Sequence, residues 1–544
     1  MNAVMKVVAP AAKPKVKSGP SAGNASDELR SRRSEELIIA LSGPVGCGIP
    51  SVKDTLEEAL SERGYQVVHI KVSSAFEELA QRHTIQDEEA PPNVTNAAFL
   101  RIWRLQTLGN KLRTKLGDDM GAQLAIKAIS LDRGERHPNK QVPDVVPEKV
   151  AYIIDQLKHP KEVALLRSVY DNMLYVVGVL SGFGQRKDEL KKSMPEDFAV
   201  RLMHRDRAET HDDKSKSDNN GQQLERTLKL ADFFVSNSRR NIGLLKEPIK
   251  RFVGLVHGDT GLTPTAKECG MYAAYSAGLR SACLSRQVGA AIVDRFGNII
   301  STGCNDVPRA GGGLYDTNSY PDNRCFHKEG LCFNDKHKNM LRDEVVETLQ
   351  KAGNLDFAEA VRVADAIRSG TRIKDLIEFS RAVHAEMDAI IQSARRGNPS
   401  IQGSFLFTTT YPCHSCARHI VAAGIRAVYF IEPYEKSLAL DLHDDSIDHE
   451  PSADADWNSD APFDKVAFLH FEGVAPARFA SLFFAMDGRK DSEGRLIKNP
   501  GGTNSKRVTE FLDNYKDLEM RVLARLESIE NAGSGLPPEE PKIA

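Results

Sequence analysis

The chain lacks any membrane-length apolar run. No stretch approaches the roughly 20 apolar residues that a bilayer-spanning helix needs. The first 33 residues are rich in Ala, Pro, Ser and Lys and hold no apolar core like that of a signal peptide. No membrane partner is therefore expected, and residues 1–34 read as a disordered, solvated tail. A nucleic-acid-binding tail is the alternative. Excess charge of one sign is also missing: 73 Lys and Arg stand against 75 Asp and Glu, interspersed, for a net charge of −2. Polynucleotide binders usually present a basic track, and none stands out beyond the tail. A small free ligand is favoured over DNA or RNA. Cysteine is sparse, with eight in 544 residues and no disulfide-like framework. That fits a reducing, cytoplasmic setting. No internal repeat is visible.

What is present is concentrated in the second half. His384-Ala385-Glu386 is followed by Pro412-Cys413-His414-Ser415-Cys416, with Cys413 29 residues after the His. Phe405 to Thr410 is rich in aromatic and β-branched residues and predicts a buried strand. A helix is expected from about Cys413 to Ala423, with Gly424 just past its end. Both cysteines would then sit in a first helical turn, where the partial positive charge favours thiolate. A second helix is expected from about Phe379 to Arg396, on apolar positions Val383, Met387, Ile390 and Ile391.

These residue types suit one chemistry. Zinc favours four tetrahedral ligands, and a catalytic zinc keeps one position for water. His384, Cys413 and Cys416 would supply three ligands, and two thiolates cancel the ion's charge. Glu386 lies two residues from His384, about 200° away around an ideal helix. It is better placed as an acid/base than as a ligand. Ordinary core residues, or a purely structural zinc, are the competing explanations. A structural zinc would want a fourth protein ligand and leaves Glu386 without a use.

The order H-x-E then P-C-x-x-C is the signature of the zinc nucleoside and nucleotide deaminases. The resemblance extends further. Ser285-Arg286-Gln287-Val288-Gly289-Ala290 leads into a hairpin with its turn at Asp294 to Asn298, then Gly303-Cys304-Asn305-Asp306-Val307-Pro308-Arg309. With Tyr411 to His419, this resembles the deoxycytidylate deaminases over about residues 270 to 435. The resemblance implies Zn2+ on His384, Cys413 and Cys416, with Glu386 catalytic, and substrate contact by Asn305. It implies hydrolytic attack of water on C4 of a cytosine ring, proton transfer by Glu386 and loss of ammonia. Arg286 and Arg309 could meet a phosphate or simply face solvent.

One departure is a long insert, residues 310–378. A structureless loop of that length is not expected in a compact domain, and Asp343 to Ile377 reads as helices. Cys325, His327, Cys332 and His337 precede them within thirteen residues. Related deaminases can hold a second, structural zinc in a comparable insert. The alternative is two free cysteines and two surface histidines.

The first half has its own motif. The apolar run Leu37 to Leu41 enters Ser42-Gly43-Pro44-Val45-Gly46-Cys47-Gly48, and a helix follows with Leu56, Ala59 and Leu60 on one face. Strand, glycine loop and helix together can cradle phosphates on backbone N–H groups. Gly43, Gly46, Gly48, Ser51 and Asp155 are the candidate nucleotide-binding residues. The Lys and Ser/Thr expected after Gly48 are Ile49 and Pro50, so the loop is degenerate. Val150–Asp155, Leu174–Val179 and Ala231–Phe234 are expected to be further strands, and Arg201 to Asp206 resembles a kinase lid. A working kinase, a regulatory nucleotide-binding domain and an empty scaffold are three readings of this half.

The expected fold class is therefore α/β. A P-loop kinase-like three-layer domain (35–255) precedes a cytidine-deaminase-like α/β/α domain with a mixed sheet (256–495), and 496–544 form a C-terminal helix and flexible tail. Lys214 to Asn220 is expected as a polar loop and Asp441 to Asp464 as an acidic surface loop. Phe468 to Val474 is expected as a fifth strand, Ala475 to Met486 as a helix, and Gly533 to Ala544 as disordered. The whole arrangement resembles the bacterial anti-phage deoxycytidine nucleotide deaminases. That implies conversion of dCTP and dCMP to dUTP and dUMP, a regulatory nucleotide on the first domain, an inhibitory RNA or small partner, and a homo-oligomer. Two other functions remain in view: a tRNA or single-stranded nucleic-acid deaminase, and a nucleotide-sensing regulator with a structural zinc.

Overall fold

The computed structural model describes residues 34–82, 94–138, 148–207, 223–237, 242–397, 401–432, 437–451, 457, 461–484, 490–497 and 512–534. Residues 1–33, Lys214 to Asn220, 485–489 and 535–544 lie outside them, as do the expectations placed there; of the disordered tail expected from Gly533, Gly533 and Ser534 are described and instead end a helix.

Leu37–Ser42 is buried along its whole length and forms β1, the centre of the first sheet. In chain order, this half contains α1 (Ile49–Glu62), β2 (Gln66–Lys71), α2 (Ala97–Leu116), α3 (Met120–Arg136) and β3 (Val150–Asp155). Then come α4 (Pro160–Tyr170), β4 (Leu174–Leu180), α5 (Glu196–Arg207), β5 (Phe233–Ser236) and α6 (Ile242–Val256). The strands lie in the order β2-β3-β1-β4-β5, all parallel. Separate apolar clusters cover the two faces, so β1, β3 and β4 read as continuous hydrophobic runs. The strand expected at 231–234 lies two residues later. Asp232 turns the chain there, with its carboxylate accepting the Val176 N–H at 2.8 Å.

The second half contains α7 (Ala266–Gly278), β6 (Gly289–Val293), β7 (Ile299–Cys304), α8 (Phe333–Gly353), α9 (Phe357–Gly370) and α10 (Ala385–Arg395). These are followed by β8 (Phe405–Thr410), α11 (His414–Ala422), β9 (Ala427–Glu432), β10 (Ile447–His449), β11 (Val466–His470), β12 (Gly473–Val474) and α12 (Leu512–Ser534). The second sheet runs β10-β11-β9-β8-β6-β7. Its β10, β11, β9 and β8 are parallel, and β6 is antiparallel to both β8 and β7. The chain is thus α/β throughout, with a mixed second sheet.

Four expectations shift. Phe379 to His384 is not helical, because the chain there bridges to Asp306 before α10 starts at Ala385. The acidic stretch is not all loop: Ile447 is buried and pairs with Val466, adding an edge strand. Phe468 to Val474 is not one strand. The chain leaves the second sheet after His470, and Gly473–Val474 pairs antiparallel with Phe234 and Phe233 of the first. The 475–486 helix is also shorter, with α-helix over Phe479–Phe483.

The C-terminal α12 returns to the first half. Arg133 of α3 lies between Glu36 and Glu519, 2.9 and 2.6 Å away. Tyr170 donates to Glu519, and Tyr515 donates to Glu36, both at 2.8 Å. Among the described residues, no helix is long and apolar enough to cross a membrane.

Candidate active site

The two halves of the site are brought together by the second sheet. Strand β8 delivers the chain to Cys413, which is the N-cap of α11, and its Sγ accepts the Cys416 N–H at 3.4 Å. One helical turn thus aims both sulfurs at one point. Gly424 ends this segment at φ +71°, a left-handed conformation suited to glycine. His384 is the N-cap of α10 in extended conformation. It is held from behind, since the Val383 N–H donates to the Asp306 carbonyl at 3.0 Å.

His384 Nδ1 lies 3.2 Å from Cys413 Sγ and 3.3 Å from Cys416 Sγ. With zinc–sulfur and zinc–nitrogen bonds of about 2.3 and 2.0 Å, two tetrahedral ligands stand roughly 3.5 Å apart. The spacing and the donor set therefore fit zinc. Among the described residues, these three are the one His/Cys/Asp/Glu group of three or more whose ligand atoms lie within 4.8 Å of one another. Glu386 is not a member. Its Oε2 accepts from Cys416 Sγ at 3.4 Å, at the edge of the trio.

Charge at the site is strongly perturbed. Cys413 is pulled down to about 4, first by the Cys416 thiol donating to it and then by His384. Cys416 is pushed well above its ordinary range by that same bond and by burial. Its bond to Cys413 carries His384 up to about 9. Burial raises the Glu386 carboxyl, and the Cys413 charge adds to the shift. Zinc can take this trio only as the His384 and Cys416 protons leave.

Packing behind the site is tight. A Cβ on Gly303 of β7 would stand 2.2 Å from the Ala385 carbonyl oxygen and 2.4 Å from the Ala389 nitrogen. Strand and helix approach this closely because residue 303 has no side chain. Asp388, in the first turn of α10, accepts the Cys304 N–H at 3.2 Å and ties the helix to the same strand. The sequence motif contained Gly303 and Asp306 without assigning them a role, and Asp388 was not singled out. The signal for Asp388 was a carboxylate on the buried side of a helix.

The other candidate residues are dispersed. Asn305 is buried, and both ends of its amide are engaged with backbone: Oδ1 accepts from Val288 N–H and Nδ2 donates to the Arg286 carbonyl. Arg286 is half-exposed, 3.9 Å from Glu432, which Lys229 of the first half also meets at 2.7 Å. Arg309 is exposed on a turn closed by Gly312 and Gly313. Cys325, His327, Cys332 and His337 are not gathered into a four-ligand site. His327 meets Asp322, His337 packs on Phe379, Cys325 lies near Arg381, and Cys332 near Ser285.

In the first half, Gly43, Gly46 and Gly48 form the loop between β1 and α1, with Gly46 and Gly48 at φ +81° and +82°. Ser51 lies in the first turn of α1, and Asp155 ends β3. Burial raises the Asp155 carboxyl, opposed by the charges of Lys71, Lys53 and Lys158.

A family model described as the cytidine and deoxycytidylate deaminase zinc-binding region matches residues 264–432. Over 164 residues the chain is 28% identical to deoxycytidylate deaminase of Enterobacteria phage T4, covering 30% of this chain and 76% of that protein. It is 30% identical over 164 residues to deoxycytidylate deaminase of Enterobacteria phage T2, covering 30% of this chain and 78% of that protein. The crystal structure of dCMP deaminase from the cyanophage S-TIM5 in apo form aligns at 19% identity, over 38% of this chain and 99% of that one, with a TM-score of 0.20. The chain therefore belongs to the cytidine and deoxycytidylate deaminase family, and residues 264–432 are its zinc-binding region.

Proposed function

We propose that the chain hydrolyses the amino group of deoxycytidine nucleotides, converting dCTP to dUTP and dCMP to dUMP with release of ammonia. One observation carries this reading: the buried Glu386 carboxyl sits beside the His384, Cys413 and Cys416 donors without joining them. A structural zinc would have no use for an acid there. Zinc held by the three donors supplies a Lewis acid that makes water nucleophilic near neutral pH. Glu386 takes the proton of the attacking water and delivers it to N3 of the ring, and then helps protonate the departing amine. Burial raises its pKa, the direction that favours a group which must carry a proton as well as take one. Water and a cytosine ring thus become a uracil ring and ammonia. Asn305, whose amide is bonded to the backbone at residues 286 and 288, is the candidate contact for the deoxyribose. Arg286, half-exposed and 3.9 Å from Glu432, is the candidate phosphate contact.

The similarity to the phage deoxycytidylate deaminases supports a deoxycytidine substrate. The resemblance of the whole arrangement supports depletion of dCTP in antiviral defence. Such an enzyme needs restraint, since constant activity would drain the cell's own dCTP. The loop of Gly43, Gly46 and Gly48 is the seat we assign to a regulatory nucleotide, with Ser51 and Asp155 beside it. An inhibitory RNA or small partner and a homo-oligomer belong to the same reading. All eight cysteines are free, in keeping with a reducing cytoplasm.

The test is one assay. The full chain is incubated separately with dCMP, dCTP, and cytosine- or adenosine-containing RNA, and ammonia is measured. Turnover of dCMP or dCTP is expected, and their ratio fixes the preference. Ammonia from RNA alone would overturn the proposal.

A further inference from the structure

Two backbone donors of the degenerate loop in the first half are already engaged within the chain, one of them the Cys47 N–H on the Pro44 carbonyl. Val45 N–H, in the middle of the loop, donates to Asp206 Oδ2 at 2.5 Å. Asp206 comes from α5, far away in sequence, and is buried. Its carboxylate also receives Lys158 Nζ at 2.8 and 3.0 Å. The same ammonium donates to the Gly43 carbonyl at 2.8 Å. Lys158 follows the end of β3, where Leu157 N–H binds the Leu41 carbonyl beside β1. The loop therefore has a lysine after all, supplied from β3 rather than from position 49.

A second observation concerns the neighbouring strand end. Asn237, just past β5, donates its Nδ2 to the carbonyls of Cys47 and Gly48 at 2.8 and 3.2 Å. Its Oδ1 is buried at the loop without a hydrogen-bond partner among the described residues. A buried acceptor held in this way suits a ligand donor group or a hydrated cation.

We propose that Asp206 is an internal stand-in for a phosphate, and that a phosphate-bearing ligand binds the 43–48 loop by displacing Asp206 and taking Lys158 as its counter-ion. This rests on the reading of the loop as a regulatory nucleotide seat, and it specifies how that seat is controlled. The physical argument is direct. Loop N–H groups that bind phosphate oxygens bind carboxylate oxygens equally well in kind. A buried ammonium must keep an anion, so Lys158 exchanges one anion for another. The internal carboxylate then competes with every incoming phosphate and weakens its apparent affinity. Release of Asp206 unties the end of α5 from the loop, while Ala199, Leu202 and Met203 keep the helix packed. Arg186 lies within electrostatic reach of both Asp206 and Glu450, and Glu450 accepts the His470 N–H of the second sheet. Exchange at the loop is thereby felt at the deaminase half.

The test titrates inorganic tripolyphosphate and ATP onto the full chain by calorimetry, with thermal unfolding as the check on folding. Asp206→Asn is expected to bind tripolyphosphate about ten-fold more tightly than wild type, and Lys158→Met about ten-fold more weakly. Equal affinity in wild type and Asp206→Asn overturns the displacement and leaves the nucleotide seat standing. No binding by either at millimolar ligand overturns both. Should Asp206→Asn not fold, hydrogen exchange on the wild-type chain decides. ATP is expected to speed exchange across Glu196–Arg207, and unchanged or slower exchange there overturns the proposal.

Discussion

Glu386 Oε2 and Cys416 Sγ stand 3.4 Å apart, with the carboxyl only 4% exposed. Shielded this well, the carboxyl keeps its proton more readily than an exposed one, although the hydrogen bond from Cys416 opposes that shift. Burial is the largest cause of that shift. The arrangement places a buried carboxyl beside the three donors without consuming it as a fourth, which is what the proposed proton carrier requires.

Glu386→Gln keeps the shape and removes the carrier. Turnover is expected to fall by about 100- to 10,000-fold, the usual range for losing a general acid–base. Zinc content, measured by plasma mass spectrometry on the purified chain, is expected to stay as in wild type. Treatment with a chelator should instead remove metal and activity together. Normal turnover in the glutamine variant would remove Glu386 from the mechanism.

Gly303→Ala tests how closely α10 is held. The added methyl would strike the backbone of Ala385 and Ala389, which a rotamer change cannot relieve. The helix must move, and His384 and Glu386 stand at its start. A displacement near 1 Å can cost about 100-fold in rate. We expect a loss of that order in kcat, with reduced zinc occupancy. An alanine variant with wild-type kinetics would show that the strand yields instead.

The site was legible because its information is local. His384, Glu386, Cys413 and Cys416 lie in two short segments, and the strand and helix around the cysteines follow from their own apolar pattern. The β1, β3 and β4 runs were equally plain, since strands buried on both faces carry no polar interruptions. What escaped the sequence depends on distant partners. The turn before α10 is set by Asp306, 77 residues before Val383 in the chain. The break after His470 exists because Gly473 and Val474 find β5 of the other sheet. Lys158 carried no sequence signal, and Asp206 stood only at the end of the lid-like Arg201 to Asp206 segment, until the fold brought both to the loop. The quartet in the insert had the right residue types and spacing, yet spacing alone did not converge them.

Arg133→Met probes how α12 is attached. The guanidinium stands between Glu36 and Glu519 in a buried network completed by Tyr170 and Tyr515. Removing it leaves two buried carboxylates facing one another. Breaking a buried pair from one side typically costs about 3–5 kcal/mol. Denaturant unfolding should show a loss of that size, while zinc content in the folded fraction stays unchanged. A loss within error of zero would mean that α12 is not held by this network.

Acid should destabilise the chain through buried neutral histidines. His257 is the clearest. Its Nδ1–H donates to the Val253 carbonyl at 2.7 Å, so Nε2 is left to accept from the Tyr65 hydroxyl at 3.1 Å. Burial holds its pKa down at about 4, against an ordinary 6.5. His449 is held near 4 and His470 near 3, again chiefly by burial. For each, the folded state binds protons less readily than the unfolded one. Their stabilisation is therefore complete above pH 6.5 and is lost as pH falls toward 4. For His257 alone the shift corresponds to at most about 3 kcal/mol. Denaturation midpoints measured between pH 7 and 4.5 should fall steadily. His257→Gln, which keeps a donor and an acceptor but does not titrate in this range, should flatten part of that slope. An identical slope in the variant would assign the acid sensitivity to other groups.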